Sequence, residues 1–164
     1  MSAILEVENV SKHFVMGGIF SRKHVEAVVD VSFTIDEDKP EVFTIVGESG
    51  SGKTTLARMI LALEPITSGD IRVSGRSVSD SRNRMKKIEF MKHIQPVFQN
   101  PFESFNPLKE VDRYLEATAR VLLGESSRQA IDAAMDDALQ KVGLSLTEVK
   151  GRFAHGLSGG QRQR

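Results

Sequence analysis

The sequence predicts an α/β fold, and three observations carry that prediction. A short apolar run, Val42–Val46, leads straight into the glycine-rich segment Gly47–Thr54, as expected of a buried parallel strand that ends in a loop. An amphipathic helical pattern follows over Lys53–Leu63, with Leu56, Met59, Ile60 and Leu63 on one face. Beyond Pro107 the pattern turns purely helical.

Taken in order, Ile4–Val10 alternates weakly and reads as a strand, and Glu26–Ile35, rich in Val, Phe and Ile, reads as a second. Between them Val15–His24 holds Gly17-Gly18 and basic residues and reads as a flexible turn; Asp36–Pro40 is a polar turn. After the Lys53–Leu63 helix come a turn at Pro65–Asp70, a brief strand at Ile71–Val73, and a basic helical or irregular stretch at Ser79–His93. Ile94–Phe98 is a further apolar strand, and the two prolines of Asn100–Pro107 make it a loop. Val111, Tyr114, Leu115, Thr118 and Leu122 then share one helix face, closed by Gly124. Ser127 can cap a second helix, whose stripe is Ile131, Met135, Ala138, Leu139 and Val142 and whose end is Gly143.

The 164 residues are enough for one domain with a core, 40% hydrophobic and 27% charged. Twenty-two basic and twenty-two acidic residues balance, so charge gives no reason to expect nucleic acid or an anionic membrane as the main partner. The run Arg82, Arg84, Lys86, Lys87, Lys92 reads as a solvated face. Cysteine is absent, which excludes disulfide, zinc–thiolate and iron–sulfur sites and fits a reducing compartment. The first residues lack the basic-then-apolar pattern of a signal peptide, and no apolar stretch reaches the ~20 residues a bilayer span needs. Work at a membrane is therefore expected through a partner.

Gly47-Glu48-Ser49-Gly50-Ser51-Gly52-Lys53-Thr54 fits G-x-x-x-x-G-K-[ST]. Its glycines let several backbone N–H groups turn toward one phosphate. The helix that begins at Lys53 adds its positive end. The Lys53 ammonium is placed to reach β- and γ-phosphates, and the Thr54 hydroxyl to bind Mg²⁺. A nucleotide such as ATP is the expected ligand. Leu157-Ser158-Gly159-Gly160-Gln161 is the second sharp feature. A Ser and two Gly opening a helix make either a second anion-binding end or a simple N-cap.

Together these two motifs resemble the ATP-binding subunits of ABC transporters, in which LSGGQ is the signature motif. Gln161-Arg162-Gln163-Arg164 extends the match, and Gln99 looks like the Q-loop glutamine. Phe98–Pro107 (Phe-Gln-Asn-Pro-Phe-Glu-Ser-Phe-Asn-Pro) is similar to the oligopeptide/dipeptide importer branch, with Asn100 and Phe105 departing mildly from it; Val46–Thr55 and the Gly17-Gly18 insertion fit that branch as well.

The resemblance implies a P-loop core of ABC type: N-terminal antiparallel strands and the P-loop strand and helix over 1–98, the Q-loop and a helical insertion over 99–156, and the signature over 157–164. It implies ATP and Mg²⁺ as ligands. Gly47, Glu48, Ser49, Gly50, Ser51, Gly52, Lys53, Thr54 and Thr55 hold the nucleotide, Lys53 and Gln99 act in catalysis, and Thr54 and Gln99 meet the metal. Ser158, Gly159, Gly160 and Gln161 complete the site of an opposing subunit in a head-to-tail dimer. Phe14 stands where the family places an aromatic that stacks on adenine, with His13 or a plain core role for Phe14 as alternatives.

The implied partners are a second ATP-binding subunit, membrane permeases reached through Gln99–Pro107, and, indirectly, an extracytoplasmic solute-binding protein, at the cytoplasmic face of the membrane. Phe102 and Phe105 either touch such a permease or plug the seam between core and helical insertion. The family also needs a strand ending in Asp, a catalytic Glu and a switch His after the signature helix, in which this sequence stops. The expectation is therefore part of a longer subunit, lacking the C-terminal core, in which Val42–Val46 loses a neighbour. Nucleotide would then be held weakly and hydrolysed poorly by this chain alone. A non-catalytic nucleotide-binding chain and a soluble ABC-type ATPase outside transport are the alternative readings.

Overall fold

The computed structural model describes residues 3–17, 23–38, 40–79, 86–97, 105–124 and 127–164. It divides into two compact units, Met1–Gln95 and Pro96–Arg164.

The first unit is a four-stranded antiparallel sheet with an eight-residue helix packed on it. β1 (Ala3–Met16) and β2 (Lys23–Asp36) form a long hairpin, and β3 (Ser68–Val73) and β4 (Arg76–Ser77) complete the order β2-β1-β3-β4. The strands run further into the expected turn than the sequence suggested, with Val15 opposite His24 and Met16 opposite Lys23. The hairpin is bent where its register slips, between Val7 and Lys12. Asn9 and Asp30 take left-handed φ values of 47° and 49° there. The bend is stitched by side chains: Asn9 Nδ2 donates to Asp30 Oδ1 at 2.8 Å, and the Asn9 and Asp30 N–H groups donate to the Ser32 and Ser11 hydroxyls. These polar groups satisfy backbone that the slipped ladder leaves unpaired.

α1 (Lys53–Ile60) places Leu56 and Met59 in a core with Val7, Val10, Val28, Ile71 and Val73. That contact fixes the helix that starts at the P-loop. α1 is shorter than expected: Ala62, with φ 52°, turns the chain away, and Leu63 is exposed. Ser68–Asp70, expected in a turn, belong to β3. α2 (Lys87–His93) buries Phe90.

Two expected strands do not form. Val42–Val46 carries no ladder, and Val42 and Val46 are 93% and 83% exposed. Ile94–Val97 is likewise unpaired, with Val97 exposed, and Phe98 lies outside the described residues. The physical reason is the same for both. A strand is stable only against a partner that takes up its N–H and C=O groups. Phe43 stacks on Phe33 of β2 at 4.6 Å and Ile94 packs on the core, but no described segment pairs with either run in a ladder.

The second unit is helical. α3 (Asp112–Leu123) ends at Gly124, α4 (Arg128–Lys141) follows Ser127, and α5 (Leu146–Val149) precedes a 3₁₀ turn at Ala154–Gly156 and α6 (Gly159–Gln163). Ile131, Met135 and Leu139 carry the expected stripe into a core with Val111, Leu144, Leu146, Val149, Ala154 and Leu157. Thr118, Ala138 and Val142, expected on the buried faces, are exposed. Ser127 occupies the N-cap position, but its side chain makes no cap hydrogen bond. Phe105 packs edge-on against Tyr114, 5.6 Å between ring centres, within this unit; Phe102 lies outside the described residues. No helix among the described residues is long and apolar enough to cross a membrane.

Candidate nucleotide-binding site

The loop at Gly47–Gly52 curls around the side chain of Lys53. The ammonium donates to the Gly47 carbonyl at 2.9 Å and to the Glu48 carbonyl at 2.5 Å, and meets the Ser51 hydroxyl at 3.3 Å. The Ser51 N–H closes the turn onto the Glu48 carbonyl at 3.2 Å. A cation therefore sits inside a ring of backbone, at the start of a helix whose first N–H groups have no intrahelical partner. Thr54 lies in the first turn of α1 and is exposed.

Gly52 caps α1 at φ 90° and ψ 0°. A β-carbon there would lie 2.1 Å from the Ala27 carbonyl oxygen of β2, far inside van der Waals contact. The loop is thus seated on the backbone of β2, and only glycine permits the approach. Gly50 is also left-handed, at φ 83°, but a β-carbon there meets nothing within 4 Å. A cleft of about 700 Å³ runs beside the loop, lined by Ala27, Val29, Phe33, Phe43, Val46 and Lys53 among others.

Phe14 stands on β1 opposite Val25, two residues along β2 from Ala27. At a rise of about 3.4 Å per residue and a strand spacing of about 4.8 Å, Phe14 lies on the order of 8 Å from the carbonyl that touches Gly52. Its ring is half-buried, and the Lys12 ammonium covers one face at 4.8 Å from the centroid. His13 instead faces Glu26, with Nδ1 3.8 Å from the carboxylate. Gln99 lies outside the described residues. So does the Asn100–Ser104 part of the loop that follows it.

In the helical unit Leu157 is buried and Ser158 caps α6. The Gln161 N–H donates to the Ser158 hydroxyl at 3.2 Å, and the Ser158 N–H to Gln161 Oε1 at 2.9 Å, a reciprocal capping box. Ser158, Gly159 and Gly160 are exposed, and β-carbons at either glycine would point into open space. Leu157 anchors the segment, and Ser158, Gly159 and Gly160 after it are exposed.

Reading by motif did not find Lys12 or Ala27. Lys12 is buried, bonded to the Pro65 carbonyl and paired with Glu64, each at 2.7 Å. These partners lie more than fifty positions away, and a lysine in mid-strand gives no local signal for them.

A family model described as ABC transporter matches residues 28–164. The oligopeptide transport ATP-binding protein OppF of Bacillus subtilis is 36% identical over 162 residues, covering 98% of this chain and 50% of the relative. The dipeptide transport ATP-binding protein DppF of Escherichia coli is 37% identical over 163 residues, covering 98% of this chain and 47% of the relative. The chain spans about half the length of the curated relatives it matches. Among solved structures, a dimeric bacterial ABC transporter cassette aligns with a TM-score of 0.74 at 26% identity, covering 97% of this chain and 65% of that one. A dimeric cassette in a post-hydrolysis state, bound to ADP and Pi, aligns with a TM-score of 0.73 at 25% identity over the same shares of the two chains. The glycine-rich loop at Gly47–Thr54, the capped Leu157–Gln161 segment and a family match over most of the sequence agree, and the chain belongs to the ABC transporter family.

Proposed function

We propose that this chain is the nucleotide-binding part of an ATP-driven import subunit, serving peptides or related small solutes at the cytoplasmic face of a membrane. The observation that carries the reading is the cradle itself: a lysine ammonium ringed by the Gly47 and Glu48 carbonyls and the Ser51 hydroxyl, at the head of α1. Phosphate oxygens are better acceptors for that ammonium than neutral carbonyls are. Gly47–Thr55 bind the triphosphate, with Lys53 on the β- and γ-phosphates. The peptide reading rests on relatives named for oligopeptide and dipeptide transport.

Mg²⁺ fits the residues present. No group of three or more His, Cys, Asp or Glu side chains among the described residues could hold a metal. The ion would instead be held by the Thr54 hydroxyl, Gln99 and the substrate's own phosphates, the usual manner for this cation. When bound, it neutralises charge on the phosphates. Phe14 receives the adenine; what supports this is its register, about one base-to-β-phosphate length from Gly52, and its half-exposed ring. Ser158, Gly159 and Gly160 are exposed, and with Gln161 they act on the nucleotide of a second, head-to-tail subunit, as the dimeric neighbours suggest. Gln99 senses the γ-phosphate, and Gln99–Pro107 meets a membrane permease, which takes solute from an extracytoplasmic binding protein. Hydrolysis belongs to the whole protein. No general base is assigned among these 164 residues, and Lys53 and Gln99 contribute by positioning and charge.

The test is calorimetric titration of the chain with MgATP and MgADP. Saturable binding is expected, lost by at least about tenfold in Lys53→Ala, since removing a charge-assisted contact costs about 1.5–3 kcal/mol. Equal affinity in Lys53→Ala would contradict the cradle. Phosphate release by this chain alone is expected to be at or near background.

A further inference from the structure

We propose that Lys12 is a positioning residue for base recognition: its ammonium holds the Phe14 ring from behind and sharpens the stack of that ring on adenine. The inference rests on the reading of Phe14 as the adenine-binding aromatic and names a second residue that makes it work.

Lys12 is an unusual place for a charge. It sits in the interior of β1, 7% exposed, beside the apolar core. Burying an ammonium is costly unless it is fully partnered. Here it donates to the Pro65 carbonyl at 2.7 Å, pairs with Glu64 at 2.7 Å, and lies 4.8 Å from the centre of the Phe14 ring. The first two partners belong to the chain just after α1. They fix the ammonium in space, so that the ring, not the cation, has to conform. Lys12 and Phe14 are two apart on one strand, and the ammonium over the ring places both side chains on the same side of that strand.

Two consequences follow. The ring is pinned flat, so a base meets a preformed platform and loses less freedom on binding. The cation also draws the π-density of Phe14 toward its inner face. The outer face becomes electron-poorer and a better partner for an electron-rich purine. Lys12 lies opposite Val28 on β2 and Phe14 opposite Val25. The pair therefore brackets the β2 segment whose Ala27 carbonyl seats Gly52. Base platform and phosphate cradle are built on the same four-residue stretch of β2, Val25 to Val28.

The test compares the affinity of the 164-residue chain for MgATP with that for magnesium tripolyphosphate, which has phosphates and no base. The readout is the preference for ATP over tripolyphosphate. Lys12→Met is expected to cut that preference about fivefold, and Lys12→Arg, which restores a cation over the ring, to recover it to within about twofold. Phe14→Leu is expected to cut it as well, and Lys12→Met added to Phe14→Leu to cut it no further.

A purely structural lysine would behave differently, weakening both ligands in parallel or persisting in the Phe14→Leu background; either result overturns the proposal. Glu64→Gln separates the roles again. It removes the ion pair, but the Pro65 carbonyl still holds the ammonium over the ring, so it is expected to lower the melting temperature and leave the preference intact. Loss of preference in Glu64→Gln equal to that in Lys12→Met would count against Lys12. Where Lys12→Met folds poorly, Lys12→Met with Glu64→Gln leaves no stranded carboxylate, and the same fall in preference is expected. Should Phe14→Leu leave the preference unchanged, the adenine reading of Phe14 fails; should Phe14→Leu cut it and Lys12→Met not, only the role of Lys12 fails.

Discussion

Gly52 and Gly50 both lie in the P-loop with left-handed backbone, yet the structure assigns them different burdens. At Gly52 a methyl group would collide with the Ala27 carbonyl, whereas at Gly50 it would meet open space. Gly50→Ala is therefore expected to cost only the left-handed penalty, about 1–2 kcal/mol. Gly52→Ala adds a backbone clash that either lifts the loop from β2 or bends α1, for a total of about 3 kcal/mol or more. Urea unfolding of the two variants checks this, and equal losses would contradict the seating of the loop on β2. The loop was legible in the sequence because a phosphate cradle is encoded in consecutive residues, and its backbone follows from glycine spacing. Its seat was not legible. Nothing in Gly47–Thr54 names Ala27 as the neighbour, and nothing at Lys12 names Glu64.

The β3–β4 hairpin is held by a small polar cluster as well as by its ladder. Asp70 accepts from the Ser77 hydroxyl at 2.7 Å and the Ser79 hydroxyl at 2.9 Å, and Arg72 Nε lies 3.0 Å away. Burial pushes the Asp70 carboxyl up, but the two hydroxyls, the Arg72 charge and the Ile71 N–H together outweigh it, and the net shift is downward. A carboxyl lowered in the folded state adds stability above the ordinary carboxylate range. That stability is lost as pH falls through the lowered value. Asp70→Asn is thus expected to be less stable than the parent at pH 7 and to converge on it only as pH falls below the lowered value, measured by denaturant midpoints along an acid titration. A constant difference would assign the effect to packing.

Ile131, Met135 and Leu139 of the α4 stripe and its stop at Gly143 could be read from spacing, since helical periodicity is local; Ala138 and Val142, read into the same stripe, are exposed. Val42–Val46 and Ile94–Val97 show where such reading fails. Apolar runs mark segments able to pair, and only the fold decides whether a partner is present.

At the scale of the molecule, each of the two units carries its own core, and the apolar residues that neither core absorbs are concentrated at Val42–Val46 in the first. The unpaired backbone there, next to 93% and 83% exposed valines, is the kind of edge on which chains associate. Val46→Lys is expected to lower concentration-dependent association, followed by analytical ultracentrifugation, while changing stability by no more than about 0.5 kcal/mol. Unchanged association would place the contact elsewhere. The α/β class was legible from the order of segments, and the two N-terminal strands from the apolar runs on either side of Gly17, while their antiparallel pairing came from the family resemblance. The signature segment was legible as a helix start, but its outward presentation depends on Leu157 being buried among residues of α4 and α5, which no local pattern reports.

All of these scales meet in the claim that Gly47–Thr54 cradles phosphate with its backbone. Backbone amide spectra of the isotopically labelled chain, recorded during titration with MgATP, test it most directly. The N–H signals of Gly50, Ser51, Gly52, Lys53 and Thr54 are expected to move most, and Lys53→Ala to abolish the movement. Shifts that spare these five amides, or that survive intact in Lys53→Ala, would contradict it.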